Sequence, residues 1–303
     1  MNQSVTRYQP RIDLDRITAL DVHVHVEAAV DEHGHPTYSL DQELMDASAA
    51  YFRGSDNRTP TVADLAARYR DAGMAAVVFT VDATTATGHP ALSSEEIAEA
   101  AAANADVLIP FGSVDPHQGD SAIARARMLV EEYGVRGFKF HPSLQAFSPD
   151  EPTFAPLWGA LQELGVPALF HTGQNGIGAG LPGGRGIKLR YSNPLLLDDV
   201  AADFPGLTVI LAHPSVPWQA EAISMATHKL NVYIDLSGWR PKYFPPELIR
   251  AAGGMLSHKV LFGSDYPLIT PERWQEDFAG LGIDPAKLPA ILKGNAARVL
   301  GLA

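Results

Sequence analysis

Apolar residues fall in eight short runs along this sequence, and between most of them the spacing shifts to the three-and-four pattern of an amphipathic helix. The runs cover 19–26, 75–81, 107–114, 135–141, 167–172, 207–213, 231–237 and 259–265. Most are rich in β-branched or aromatic side chains, as expected of parallel strands covered on both faces. The intervening segments carry helix signals. Ser93 stands three residues before Glu96 as a capping box. Asn193-Pro194 and Thr270-Pro271 each set an N-cap residue before a proline suited to a first turn. Asp120 is placed to cap a helix over 121–133 that Gly134 stops, and Gly165 ends another over 153–164. A last helix is expected over 285–300.

Eight strands alternating with helices predict an α/β chain folded as a (β/α)8 TIM barrel, a single domain over 1–303. The competing open, doubly wound sheet announces itself with a glycine-rich loop after its first strand, and this sequence has none. Two segments, 27–60 after the first strand and 173–192 after the fifth, are too long for simple turns. Both follow strands, so both belong over the C-terminal face, where barrel active sites form.

Composition narrows the classes. A net charge of −12 argues against a nucleic-acid binder, which needs clustered Lys and Arg. The absence of cysteine removes disulfides, cysteine-bound zinc and a thiol nucleophile. With neither an apolar run long enough to span a bilayer nor an apolar N-terminal stretch, the expectation is a cytoplasmic protein off the membrane. A homodimer is the expected assembly.

The chemistry sits at strand ends. In Asp21-Val22-His23-Val24-His25-Val26, alternation puts both imidazoles on one face, where they can converge on one cation. The fourth strand ends in Lys139 and His141, the fifth in His171, the sixth in His213 and the eighth in Asp265. In a closed barrel these ends ring one pocket. Several imidazoles and a carboxylate there make a transition-metal site, with Zn²⁺ the first choice and Mn²⁺ the second.

The pattern resembles the amidohydrolase superfamily, in its amidohydrolase-related (family 2) branch. The likeness runs from the HxH of strand one through Gly-Phe-Lys-x-His-Pro (137–142), His171, Leu-Ala-His-Pro (211–214) and Phe-Gly-Ser-Asp-Tyr-Pro (262–267) to the closing Asn-Ala-Ala-Arg-Val-Leu-Gly-Leu. It implies one divalent metal held by His23, His25, His171 and Asp265, with His213 beside it. Lys139 is either a cation paired with Asp265 or a substrate carboxylate, or a carbamate bridging a second metal as in two-metal relatives; one metal is the favoured count. Asp265 is then the natural proton acceptor and His213 the oxyanion stabiliser. Position alone nominates His141, Arg190, Tyr191, Trp239 and Arg53 for a small, anionic substrate.

The branch contains hydrolases and decarboxylases. The sequence favours a metal-dependent hydrolase, with activated water attacking a carbonyl of a small acid, lactone or β-ketoacyl compound. Segments 187–194 and 235–239 look similar to 4-hydroxyphenyl-β-ketoacyl-CoA hydrolases, and the basic 173–192 segment would suit an acyl-CoA. The alternatives are a non-oxidative decarboxylase of an aromatic or muconate-type acid, and a non-catalytic binding protein on the same barrel.

Overall fold

The computed structural model describes residues 6–31, 33–52 and 58–303. Its strands are β1 (Leu20–His25), β2 (Ala28–Val30), β3 (Pro36–Tyr38), β4 (Ala75–Phe79), β5 (Leu108–Pro110), β6 (Phe138–Phe140), β7 (Ala168–His171), β8 (Val209–Ala212), β9 (Val232–Asp235) and β10 (Val260–Leu261). All but β2 and β3 are parallel, in the order β1-β4-β5 and β6-β7-β8-β9-β10. Two parallel bridges, Gly112 with Phe138 and Val24 with Tyr266, join these groups at both edges. Lys139 N–H donates to Gly112 C=O at 2.8 Å and His25 N–H to Tyr266 C=O at 2.9 Å. The eight parallel strands therefore form a closed (β/α)8 barrel, and every strand's C-terminal end reaches the same face.

The helices are α1 (Gln42–Phe52), α2 (Val62–Asp71), α3 (Thr84–Thr87), α4 (Ser94–Ala103), α5 (Asp120–Glu131), α6 (Ala155–Leu164), α7 (Asp198–Asp203), α8 (Gln219–His228), α9 (Pro246–Gly253), α10 (Pro271–Ala279) and α11 (Asn295–Val299). Among the described residues no helix is long and apolar enough to cross a membrane. Two tryptophans anchor the helix layer: Trp158 of α6 meets Phe140 and Phe170 with ring centres 5.1 and 5.3 Å away, and Trp274 of α10 meets Phe262 at 4.7 Å. Each indole N–H finds a backbone carbonyl, Pro149 and Leu236, so neither burial leaves an unpaired donor.

Several local expectations are corrected. Asp120 is not the cap of α5: Gly119 takes that place at φ +54° and Asp120 falls inside the first turn. Ser93 accepts from Glu96 N–H at 3.1 Å, but its hydroxyl turns to Glu95, so the reciprocal half of that box is missing. A complete capping box forms instead between Thr61 and Asp64, opening α2. The expected last helix is broken into a 3₁₀ turn (Pro285–Lys287), a wide π turn (Ala290–Gly294) and α11. Segment 27–60 contains the antiparallel β2–β3 hairpin and α1, while 173–192 holds short 3₁₀ turns.

Candidate metal centre and cavity

Asp21 fixes the strand that carries the HxH pair. Its buried carboxylate accepts from Ser264 N–H at 2.9 Å, Ser264 Oγ–H at 2.5 Å, Tyr69 Oη–H at 2.7 Å and His23 N–H at 3.1 Å. This pins β1 against the turn bearing Asp265, whose N–H donates to His23 C=O at 3.0 Å. The Nε2 atoms of His23 and His25 lie 3.2 Å apart, and Asp265 Oδ1 lies 3.3 and 3.1 Å from them. Donors bound tetrahedrally at about 2.0–2.1 Å stand about 3.3 Å from one another. The triangle therefore has the size of one face of a metal coordination shell, and these three residues form a metal-competent group.

His171 lies in the same cavity, outside that three-residue group. Its Nδ1 is 3.0 Å from His213 Nε2, while its Nε2 is buried with no partner. Burying such an atom unused is costly, and a metal ligand position is one that uses it. His141 stacks flat on His171, ring centres 3.8 Å apart and 8° from parallel.

Behind the donors lies a carboxylate absent from the expected site, Asp235 at the end of β9. Its Oδ2 is 2.6 Å from His23 Nδ1 and 2.8 Å from Ser237 Oγ, which is itself 3.0 Å from His213 Nδ1. One assignment of protons leaves both His23 Nε2 and His171 Nε2 as lone pairs. His23 Nδ1–H donates to Asp235; His213 Nδ1–H donates to Ser237, which donates to Asp235; and His171 Nδ1–H donates to His213 Nε2. Asp235 is thus the terminal acceptor that orients three imidazoles, a carboxylate–histidine–metal arrangement. Glu27 stands in the corresponding place behind His25, 3.6 Å from its Nδ1. Ser39 donates to Glu27, whose carboxyl is raised by burial.

Burial holds His23, His141 and His171 well below the usual imidazole range, reinforced by Lys139 at His23 and His141 and by His141 and His213 at His171. His213 is pulled down to about 4 by burial, against the attraction of Asp265. All four are neutral near pH 7, the form that binds metals. Burial pushes Asp265 up, but the His25 hydrogen bond and the charges of His213, His25 and Lys139 outweigh it, and its carboxyl stays below the ordinary value. Lys139 is fully buried and lowered by that burial. Its Nζ lies 3.2 Å from His23 Nε2; it makes no direct ion pair with Asp265, although the two charges attract. His213 and Asp265 both hold positive φ, +72° and +67°.

These groups open into a cavity of about 450 Å³ lined also by Leu40, Phe52, Val81, Leu144 and Ile177. His141 and Trp239 line it as expected. Arg190 and Tyr191 do not: Arg190 is exposed and its guanidinium lies 5.0 Å over the Tyr191 ring, outside the cavity. Arg185 of the same segment bridges to Asp41 and Glu43 beside α1. Arg53 lies outside the described residues. Two further lining groups carry unused polar atoms, Thr80 Oγ1 and Asn175 Nδ2. Neither showed a periodic or motif signal, though Thr80 directly follows β4.

The sequence profile of the amidohydrolase family matches residues 20–302. The chain belongs to that family. Among solved structures, this amidohydrolase is similar to an uncharacterized TIM-barrel protein from Bordetella bronchiseptica, at 23% identity and TM-score 0.74, covering 94% of this chain and 98% of that one. A dihydroxybenzoic acid decarboxylase from Polaromonas, with bound manganese and 2-nitroresorcinol, matches at 18% identity and TM-score 0.66 over 94% and 97% of the two chains. A 5-carboxyvanillate decarboxylase from Sphingomonas paucimobilis matches at 16% and 0.65 over 94% and 99%. At these identities the likeness establishes the fold. No curated protein matches the chain.

Proposed function

We propose that this amidohydrolase is a metal-dependent, non-oxidative decarboxylase of a small aromatic carboxylic acid. The observation that carries the reading is the division of the cavity: an apolar wall of Leu40, Phe52, Val81, Leu144 and Ile177 accompanies His25, His171 and Asp265 in one space of about 450 Å³, with His23 buried directly behind them. That volume suits a single substituted ring. The decarboxylases of similar fold support this reading over the hydrolase expected first. His23, His25, His171 and Asp265 would hold one divalent ion, Zn²⁺ or Mn²⁺, which when bound supplies Lewis-acid polarisation of a substrate oxygen.

The chain's own residues do the rest. The apolar wall holds the ring and keeps water from the carboxylate, which favours its loss as neutral CO2. His141 accepts Leu144 N–H on Nδ1 at 3.3 Å, so its proton sits on Nε2 and is available to a substrate oxygen. The Lys139 side chain provides a second polar contact in the cavity. Asp265, ionised at neutral pH, takes the proton of a ring hydroxyl. It returns that proton to the ring carbon as the C–C bond breaks and CO2 departs, and water restores the hydroxyl.

The test incubates Zn- or Mn-loaded protein with a panel of hydroxybenzoates in D2O. CO2 release with one deuterium at the vacated carbon is expected; a panel without CO2 release removes the reading. A second reading keeps the same site for hydrolysis of an aryl β-ketoacyl thioester. It rests on Lys188 and Arg190, exposed cations with no carboxylate partner among the described residues, which suit phosphates held outside the cavity. Incorporation of ¹⁸O from water into a released carboxylate selects it.

A further inference from the structure

A second cavity, of about 380 Å³, lies at the opposite end of the barrel. It is built from segments that precede strands, 134–136 before β6 and 164–167 before β7, together with 7–10 and the chain's last turn, 298–301. Three arginines line it, Arg7, Arg136 and Arg298, and no Asp or Glu does among the described residues. In a chain of net charge −12 that local excess is the reverse of the whole.

Each arginine is held by backbone carbonyls, Arg298 also by Asn295 Oδ1 at 3.1 Å, and none by a carboxylate among the described residues. Arg7 Nε donates to Glu131 C=O at 3.0 Å, Arg136 Nη2 to Leu300 C=O at 2.7 Å, and Arg298 Nη2 to His258 C=O at 2.8 Å. A guanidinium carries five N–H donors, so each keeps spare donors once these bonds are made. Tyr8 backs this wall: it is 2% exposed, packed into the core, with its backbone against Gly134.

The pocket's wall is fixed. Tyr8 N–H donates to Tyr133 C=O at 2.8 Å. Gly134 sits at φ +77°, where a Cβ would come within 2.5 Å of the Tyr8 carbonyl oxygen, so only glycine lets segment 7–10 close over this turn.

We propose that this cavity binds a phosphate group, with the free guanidinium edges of Arg7 and Arg136 as its donors and Arg298 adding its charge. Three cations without a carboxylate suit a tetrahedral dianion better than a planar monoanion, and Arg forks match phosphate oxygens in pairs.

The experiment titrates the full-length protein with inorganic phosphate and, separately, with glycerol phosphate. Calorimetry and thermal unfolding are followed at constant ionic strength, with chloride as control. Saturable one-to-one binding and a raised Tm are expected for at least one ligand; tighter binding of phosphate identifies the free ion, tighter binding of the ester a phosphorylated small molecule. Arg136→Gln is expected to lower the affinity about tenfold, as for loss of one bond to a charged group. Arg7→Gln is expected to weaken binding similarly while leaving metal content at the other end unchanged. Non-saturating behaviour equal to chloride, or full affinity in both variants, overturns the proposal.

Discussion

The ring of strand ends and the two long segments above it are built on different principles. The ring is buried and cross-braced: Asp21 receives four hydrogen bonds, and Asp235 with Ser237 orders His23, His213 and, through it, His171. The covering segments touch each other through an ion pair of Arg185 with Asp41 and Glu43 and through the Phe52 ring lying over Gly176. A brace of buried, mutually satisfied groups fixes positions to fractions of an ångström, whereas a partly exposed ion pair contributes little to rigidity. The difference teaches a division between a fixed ring and loosely tied covering segments, to which the proposed function gives chemistry and access.

The largest test of that division removes a ring ligand. Asp265→Ala is expected to lower turnover by at least about a thousandfold, the loss of several kcal/mol of charge stabilisation, and to reduce bound metal in elemental analysis. Asp235→Asn is next. It touches no substrate, yet metal affinity is expected to fall about 10- to 100-fold in a chelator competition, because the neutral amide is a weaker acceptor for His23 and presents an NH2 group that clashes with one of the two donors, His23 or Ser237. Unchanged affinity would show that the brace does not matter.

On the segment side, Gly176→Ala sets a Cβ 2.1 Å from the Phe52 ring. That ring must move within the cavity wall, so KM is expected to rise about tenfold with metal content unaltered. A fall in metal content instead would couple segment and ring and break the comparison. The smallest effect is a control away from both. Arg125 holds Glu95 at 2.9 Å and Asp82 at 2.9 Å. Burial raises Glu95, but the Arg125 hydrogen bond and charge bring its carboxyl below the usual range. A depressed acid stabilises the fold above its unfolded pKa and ceases to as pH falls through its lower, folded value. Arg125→Met is therefore expected to cost about 2 kcal/mol at pH 7 in urea unfolding, with the gap to the parent closing below about pH 4 and metal content constant.

The same division explains what the sequence made legible. His23, His25, His171, His213 and Asp265 were readable because strand alternation and closure dictate where a strand end points, whatever the side chains around it. Arg190 and Tyr191 were not, since no period governs segment 173–192 and an exposed guanidinium takes the nearest ring. Asp235 escaped notice for another reason: its strand reads as an apolar run, and nothing in Val-Tyr-Ile-Asp says that the carboxylate turns toward an imidazole on β1. The broken last helix likewise follows from tertiary demand, with Asn295 Nδ2 donating to Ser257 and Val260 carbonyls at 2.8 Å each.

His213 and Asp265 occupy backbone conformations that L-residues enter at a cost of about 1–2 kcal/mol each, and Ser215 joins them at φ +58°. At such positions the ordinary ranking of small residues inverts. Glycine at 213 or 265 is expected to give a more stable variant than alanine does, by about 1 kcal/mol, although in a regular strand alanine is the better choice. The glycine and alanine variants at one position therefore separate the cost of the backbone from the loss of the side chain.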